Sequence, residues 1–169
     1  MQAAQAGDID SFGTLCEHYY SPLVAVAYSV LGDHQLAEDA AQEAFARGLT
    51  NLRTLKDTGK FAPWLARICR NVAFDMIRSR CQIAAAGEAP HTPKECQANE
   101  TAQIVRTAID RLPVSMKEVV ILRYYNNCSY EQITAVLGLS KMAINGRLTR
   151  AKRRLAEHLR PCGVPEDML

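Results

Sequence analysis

The side chains with the clearest chemical character lie near the end of the chain, where lysine and arginine recur without an acidic residue. The stretch from Lys141 to Arg154 holds six of these cations and no Asp or Glu. Surface helices that are merely solvated usually mix acids among their bases, whereas a run of bases suits the phosphate groups of a nucleic acid. This segment is therefore a candidate nucleic-acid contact.

Helical spacing divides the same segment into an inner and an outer face. At about 100° per residue, four apolar side chains fall on one stripe that we expect to face the core: Ile144, Leu148, Ala151 and Leu155. The opposite face would enter a DNA major groove, with base-edge contacts near the helix start and phosphate contacts further along. The base-edge candidates are Lys141, Met142, Asn145 and Gly146, and the phosphate candidates are Arg147, Arg150, Arg153 and Arg154.

Gly146 lies at the centre of that outer face, where glycine costs about 1 kcal/mol relative to alanine. One interpretation is that the missing side chain lets the backbone come close to the base edges. The other is that glycine is simply tolerated here. The sequence leaves both open.

The residues ahead of this helix predict the rest of a helix-turn-helix. Ser129 and Gln132 have the spacing of a capping box, which predicts a short helix that ends at residue 136 or 137. Gly138 supplies a left-handed turn, and Ser140 caps the basic helix. A short helix, a glycine turn and a longer basic helix make up the helix-turn-helix motif.

A further helix is predicted just before this motif. Pro113 disfavours helical geometry at the residue before it. Ser115 and Glu118 repeat the capping-box spacing, so a helix should run from Met116 to about Tyr125.

The first half of the chain predicts three helices, over residues 8–31, 34–49 and 61–80. The last of these has a core stripe that contains Leu65 and Val72, and on its opposite side cationic, amide and aromatic side chains come together. These are Arg67, Arg70, Asn71, Phe74 and Arg78. Such a face suits single-stranded nucleic acid, with Phe74 stacking on a base. Phe74 could instead pack against a neighbouring helix, which is the commoner fate of an aromatic side chain.

The second helix carries four closely spaced acidic or amide groups, Glu38, Asp39, Gln42 and Glu43. By composition alone they indicate only a solvated face.

Composition excludes several classes of protein. The net charge is +2, yet residues 101–169 carry 11 Lys or Arg against 6 Asp or Glu, which concentrates the basic excess near the end. The apolar runs are too short to span a bilayer. The six cysteines and four histidines form no metal-ligand spacing. No nucleophile or phosphate-binding glycine loop is evident, so we expect a cytoplasmic protein that is not an enzyme and needs no metal or cofactor.

The predicted fold is all-α, with two small helical domains joined by a flexible linker. The linker, residues 82–100, contains two prolines, a glycine and no large apolar face. The domains would then cover residues 1–81 and 101–160, with a tail at 161–169.

Four segments in this order resemble the extracytoplasmic-function (ECF) sigma factors of the sigma-70 family. They are "AQAGDIDSFGTLCEHYY", "AEDAAQEAF", "WLARICRNVAFDMIRSR" and "LPVSMKEVVILRYYNNCSYEQITAVLGLSKMAINGRLTRAKRRL". The resemblance implies two helical domains, regions 2 and 4, that bind bacterial RNA polymerase core through its β′ and β subunits. It also implies recognition of the minus-ten and minus-thirty-five promoter elements, and restraint by an anti-sigma factor.

The resemblance assigns roles by position. Asp39, Gln42 and Glu43 match the segment that docks on the polymerase β′ subunit. The helix with Arg67, Arg70, Asn71, Asp75 and Arg78 matches the one that recognises and opens the minus-ten element. The loop at about residues 49–60 matches the segment that captures a flipped base.

The recognition helix departs from the family pattern. Relatives commonly have Gly-Thr-Val-Lys-Ser where this chain has residues 142–146, Met-Ala-Ile-Asn-Gly. A hydroxyl contact to phosphate is thereby lost at Ala143, so the promoter sequence does not follow from the resemblance. The alternative function is a stand-alone helix-turn-helix regulator, which explains residues 112–160 and leaves the Asp39 to Glu43 and Arg67 to Arg78 surfaces without a role.

Overall fold

The computed structural model describes residues 1–85 and 100–162, and this part of the chain contains helices and turns but no β-strand. Its α-helices are α1 (Gln2–Gln5), α2 (Ile9–Leu31), α3 (His34–Asn51), α4 (Phe61–Ala85), α5 (Glu100–Asp110), α6 (Val114–Val120), α7 (Tyr130–Leu137) and α8 (Lys141–Leu159). A π-helical turn, Ile121–Tyr125, directly extends α6. The predicted all-α class is confirmed.

The predicted linker and tail fall mostly outside the described residues. Residues 82–85 continue α4 rather than leaving it, and residue 100 already begins α5. The rest of the linker, including Cys96, and residues 163–169 of the tail lie outside the described part of the chain. The expected domain boundary therefore stays a prediction.

Helices α2, α3 and α4 pack together as the first helical unit. The Asp8 carboxylate caps α2 by accepting hydrogen bonds from the backbone N–H groups of Asp10 and Ser11, and Gly32 ends the helix with a left-handed φ of 68°. Asp33 then caps α3 at 3.0 Å from the N–H of Leu36. The end of α2 and the start of α3 are thus both determined by residues within the connection itself. The helix end predicted near Gly32 is confirmed.

Small residues allow α3 to lie close to its neighbours. Its buried side includes Ala37, Ala40, Ala41 and Ala44. At the far end, a Cβ on Gly48 would stand 2.8 Å from Cδ1 of Leu65, so the absence of a side chain permits the approach of α3 to α4.

The second unit contains the predicted helix-turn-helix. Ser129 and Gln132 form the expected capping box at the start of α7, and Gly138 ends this helix with φ 67°. The Ser140 hydroxyl accepts a hydrogen bond from the N–H of Ala143 at the start of α8. All three of these sequence predictions are confirmed.

The capping box predicted at Ser115 and Glu118 is wrong. Helix α6 begins two residues earlier than that box requires, at Val114, with Pro113 in the N-cap position and no side-chain cap. Glu118 is buried and bonds to Arg70 of α4 instead. Helical structure does continue to Tyr125, as expected, but its last five residues form the π turn.

The two units share one apolar cluster. Ala25 and Val26 of α2 and Ala66 of α4 lie in the same cluster as the buried face of the helix-turn-helix, which includes Ile133 and Ile144. Apolar surface buried between the units stabilises their association. None of the described helices is both long and apolar enough to cross a bilayer.

Candidate nucleic-acid and polymerase interfaces

The predicted inner stripe of α8 is buried, which fixes the orientation of the whole helix. Ile144, Leu148, Ala151 and Leu155 are all buried. The opposite side is open, and Met142 is 84% exposed there. Since the core stripe is fixed, the predicted base-reading side chains must point outward.

Most members of the outer face are available at the surface. Lys141, Met142, Asn145, Arg150, Arg153 and Arg154 are exposed, whereas Gly146 and Arg147 are half-buried. The Arg147 guanidinium donates a hydrogen bond of 3.3 Å to the backbone oxygen of Ser115, which directs it toward α6. Arg153 lies 4.0 Å from the Glu157 carboxylate, a weak surface pair.

Gly146 is covered by a neighbouring arginine. A Cβ at this position would lie 3.5 Å from Nη1 of Arg150, at ordinary van der Waals distance. The Arg150 guanidinium therefore folds back along the helix over the glycine. This contact offers a third reason for the glycine, because a large side chain at residue 146 would displace Arg150.

Lys141 has a partner within the helix-turn-helix. Its ammonium group donates a hydrogen bond to the carboxylate of Glu131 on α7. This bond and further hydrogen bonds at the start of α7 lower the pKa of Glu131 to about 2. The pair ties the starts of the two helices together and sets one negative charge beside the proposed DNA face.

The α4 cationic face, defined as Arg67, Arg70, Asn71, Phe74 and Arg78, is brought together as expected, with one exception. Arg67, Asn71 and Arg78 are exposed, and Phe74 is 43% exposed. Phe74 and Ile77 line a shallow depression together with Asn71 and Arg78. The ring is thus not buried against a neighbouring helix and remains open to a stacking partner.

Arg70 is the exception. Its Nε atom donates a hydrogen bond to Oε1 of Glu118, and the two side chains are 26% and 5% exposed. Arg70 therefore points into the boundary between the two units rather than freely into solvent.

The α3 acidic patch, defined as Asp39, Gln42 and Glu43, is exposed on the helix beside α4. Glu43 accepts a hydrogen bond of 2.6 Å from Nε of Arg47. Arg47 also lies 3.9 Å from Asp75 of α4, and Asp75 lies 3.7 Å from Arg78. A chain of alternating charges thus connects this patch to the α4 cationic face.

Sequence reasoning missed both acidic partners, Glu118 and Glu131. Glu118 was interpreted as a local cap because of its spacing from Ser115. The available signal was its position beside an apolar run, "EVVIL", since a carboxylate in such a run requires a cationic or hydrogen-bonding partner. No comparable signal marks the Lys141 contact, which depends on the angle between α7 and α8.

The cysteines show no arrangement for chemistry in the part of the chain that the structure covers. Burial raises the pKa of Cys69 to about 12, and its thiol donates to the backbone oxygen of Leu23 at 3.5 Å. No group of three or more His, Cys, Asp or Glu residues within 1–85 and 100–162 could hold a metal ion.

Comparison with known proteins agrees with the geometry. Residues 15–81 match the family model for sigma-70 region 2, and residues 102–155 match a model for sigma-70 region 4. The chain is 31% identical over 168 residues to the probable RNA polymerase sigma factor RfaY of Xanthomonas campestris pv. campestris, covering 92% of this chain and 42% of that protein. It is 30% identical over 139 residues to the ECF RNA polymerase sigma factor EcfG of Rhodopseudomonas palustris, covering 79% of this chain and 77% of that one.

A solved structure supports the fold. The sigma factor RpoE of Bartonella quintana, crystallised with the anti-sigma factor NepR, superposes with a TM-score of 0.60 over 90% of this chain and 98% of that one, at 24% identity.

A helix-turn-helix joined to a region 2 helical unit defines a sigma-type transcription initiation factor, a class of proteins that are not enzymes. Within that class, the chain belongs to the ECF sigma factors of the sigma-70 family.

Proposed function

We propose that this ECF sigma factor binds RNA polymerase core and promoter DNA through three separate surfaces. The α3 acidic patch binds the polymerase core, the α4 cationic face binds the minus-ten element, and the outer face of α8 recognises the minus-thirty-five element. The observation that carries the DNA-reading role is the burial of the inner stripe of α8, since it leaves the basic side chains of that helix facing outward. The stand-alone regulator is not favoured, because residues 15–81 match sigma-70 region 2, for which that function has no role.

At the minus-thirty-five element, position and sequence are set by different side chains. Arg150, Arg153 and Arg154 are placed for phosphates, which provide affinity without reading sequence. Met142 and Asn145 stand on the first turns of α8, where a recognition helix meets base edges. Met142 has no hydrogen-bonding group, so its contribution would be apolar contact, for example with a thymine methyl group.

At the minus-ten element, the α4 cationic face favours an opened strand. Phe74 offers a ring for stacking, while Arg67 and Arg78 flank it with charge. The segment over residues 49–60, which comprises the end of α3 and the loop after it, would hold the flipped base. That loop is anchored through Gln5, whose Nε2 donates to the backbone oxygens of Leu52 and Leu55 at 3.1 and 2.8 Å.

We infer the partners from these surfaces together with the family to which the chain belongs. They are the β′ and β subunits of bacterial RNA polymerase core, promoter DNA and an anti-sigma factor, so the protein would act in the cytoplasm where transcription takes place. We assign it no metal or cofactor.

Reversing charge on the α3 acidic patch tests the polymerase assignment. Asp39→Arg combined with Glu43→Arg should abolish co-purification with core polymerase, because two attractive contacts become repulsive. Both residues are exposed, so helix content by circular dichroism should be unchanged.

A matched control is Glu17→Arg with Asp10→Arg, which makes the same charge change on exposed positions of α2. If the α3 variant still binds core polymerase as the α2 control does, the docking assignment is wrong. Loss of binding in both would instead point to net charge rather than to this patch.

A further inference from the structure

The short helix α1 contacts the segment that the proposed function assigns to base capture. Ala4 is buried in the same apolar cluster as Leu52, the first residue after α3. Gln5, next to Ala4, is half-buried and directs its carboxamide at the backbone beyond α3. A four-residue helix contributes little stability by itself, so these tertiary contacts define what α1 does.

One side chain holds two backbone oxygens of this segment. The Nε2 atom of Gln5 donates a hydrogen bond of 3.1 Å to the oxygen of Leu52 and one of 2.8 Å to the oxygen of Leu55. An amide nitrogen carries two hydrogens, so both bonds can form at once. The N–H of Leu55 also donates to the Leu52 oxygen at 3.2 Å and closes the turn between them. Gln5 therefore fixes the path of a whole turn.

This turn belongs to a stretch that is anchored at both ends and exposed between them. Leu52 and Phe61 are 2% and 3% exposed, which fixes the two ends of the connection between α3 and α4. Arg53 and Thr54 lie within the turn and are exposed. The Gln5 bonds thus hold the backbone that carries these two side chains. A backbone already held in its binding conformation loses less entropy when a ligand arrives.

We propose that Gln5 is a positioning residue for base capture: by holding the Leu52 and Leu55 oxygens, it keeps the turn ready to receive a flipped minus-ten base. This inference rests on the proposed role of residues 49–60. Gln5 does not touch the base itself. It raises the fraction of the protein in which the turn is formed, and the apparent affinity for the flipped base scales with that fraction.

Replacing the amide with a side chain of similar size tests the proposal. Gln5→Met can donate to neither oxygen but fills a similar space. Gln2→Met is the matched control, because it makes the same replacement at an exposed position of the same helix. Each full-length variant would be assembled with core polymerase. The probe is a labelled forked duplex with a single-stranded nontemplate minus-ten segment, taken from a promoter that the wild-type holoenzyme selects from genomic DNA.

A second set of probes carries an abasic site in place of each nontemplate minus-ten base in turn. The wild-type and Gln2→Met holoenzymes should bind the intact probe equally, and both should lose affinity strongly at the position of the captured base. Gln5→Met should bind the intact probe about 10-fold more weakly, the size expected for two lost hydrogen bonds. On the probe that lacks the captured base it should differ little from wild type, because no base is left to position.

Three results would contradict the proposal, and they separate it from the proposed function. Equal affinities of Gln5→Met and Gln2→Met for the intact probe would mean that Gln5 does not prepare the turn for DNA. An equal loss by Gln5→Met on every probe would mean a structural effect without a link to a captured base. If no abasic position weakens the wild-type holoenzyme, the proposed base capture itself is wrong.

Hydrogen exchange of the free protein adds a second measurement, and Gln5→Glu adds a second variant if Gln5→Met folds poorly. The glutamate keeps the shape of the amide, but its ionised carboxylate can only accept hydrogen bonds. In both Gln5 variants the amide of Leu55 should exchange faster than in Gln2→Met, because the turn opens more often. Exchange at the rate of the control would show that Gln5 does not hold the turn.

Discussion

The role of Gly146 depends on its neighbour Arg150. Its outward position was predicted from helical spacing, but the reason for a glycine there was left open between close approach to DNA and simple tolerance. The structure adds the Arg150 guanidinium, which lies along the space that a side chain would enter.

This contact predicts different results for two substitutions. Gly146→Ala adds a methyl group at ordinary contact distance, so it should stabilise the protein by up to about 1 kcal/mol and leave binding of minus-thirty-five duplex nearly unchanged. Gly146→Leu should displace Arg150 and weaken duplex binding about 10-fold or more. Thermal unfolding and duplex titrations measure the two effects, and strong loss of binding by the alanine variant would favour close approach of the backbone instead.

Glu131 provides a pH dependence with a defined sign. Its pKa falls from 4.5 to about 2 in the folded protein, so its contribution to stability is complete above pH 4.5 and is lost as the pH falls toward 2. Glu131→Gln should therefore reduce the difference in unfolding free energy between neutral pH and pH 2. Acid titration of both proteins followed by circular dichroism measures this, and parallel titration curves would argue against the Lys141 pair.

The cysteines should differ sharply in reactivity. Cys81 and Cys162 are exposed, whereas Cys69 and Cys128 are buried and their thiol pKa values are raised by burial. A short pulse of iodoacetamide followed by peptide mass mapping should label the exposed pair in native protein and the buried pair only after denaturation. Rapid native labelling of Cys69 would show that the core around α4 opens readily.

At the scale of single helices, the local signals were reliable where both partners of a cap lie within a few residues. The caps at Ser129 and Ser140 and the left-handed Gly138 depend only on neighbouring backbone, so spacing was sufficient to predict them. Ser115 and Glu118 have the same spacing, yet Glu118 bonds to a residue 48 positions away. The ion pair with Arg70 was favoured over a local cap at Ser115. The spacing of residues along the chain gives no information about such a distant partner.

This difference between serines can be measured. Ser140→Ala should lower the free energy of unfolding by about 1 kcal/mol, because it removes the hydroxyl that accepts from the N–H of Ala143. Ser115→Ala is the matched control and should change stability little, since no side-chain cap is present at α6. The free energy of unfolding is measured by denaturant titration. If both variants lose the same amount, Ser115 caps α6 after all, and the interpretation of Glu118 as a partner of Arg70 alone is wrong.

At the scale of the whole molecule, periodicity was enough to predict the all-α class, the helix-turn-helix and the inward stripe of α8. It could not predict how the two units meet. That arrangement depends on small residues such as Ala25 and Ala66, whose size permits close packing but whose presence in a helix is unremarkable in a sequence.

Because the two units share an apolar cluster, a destabilising substitution in the core of one unit should also lower the unfolding midpoint of the other. Ile133→Ala in α7 removes a fully buried side chain, at a cost of about 2 to 5 kcal/mol. The midpoint of unfolding reported by Trp64, which lies in the first unit, should then fall by about 4 to 15 °C together with that of the helix signal. An unshifted Trp64 transition would mean that the units unfold separately.

The shared cluster also limits how this protein can be recombined with its relatives. Ala25, Val26 and Ala66 have little side-chain volume, and the helix-turn-helix fits against them with buried residues of its own. In a chimaera that takes either half from another sigma factor, the two units would pack poorly against each other. Good packing would require that these three positions and the residues that contact them come from the same protein. Exchange of the helix-turn-helix unit alone should therefore lower the stability of the chimaera.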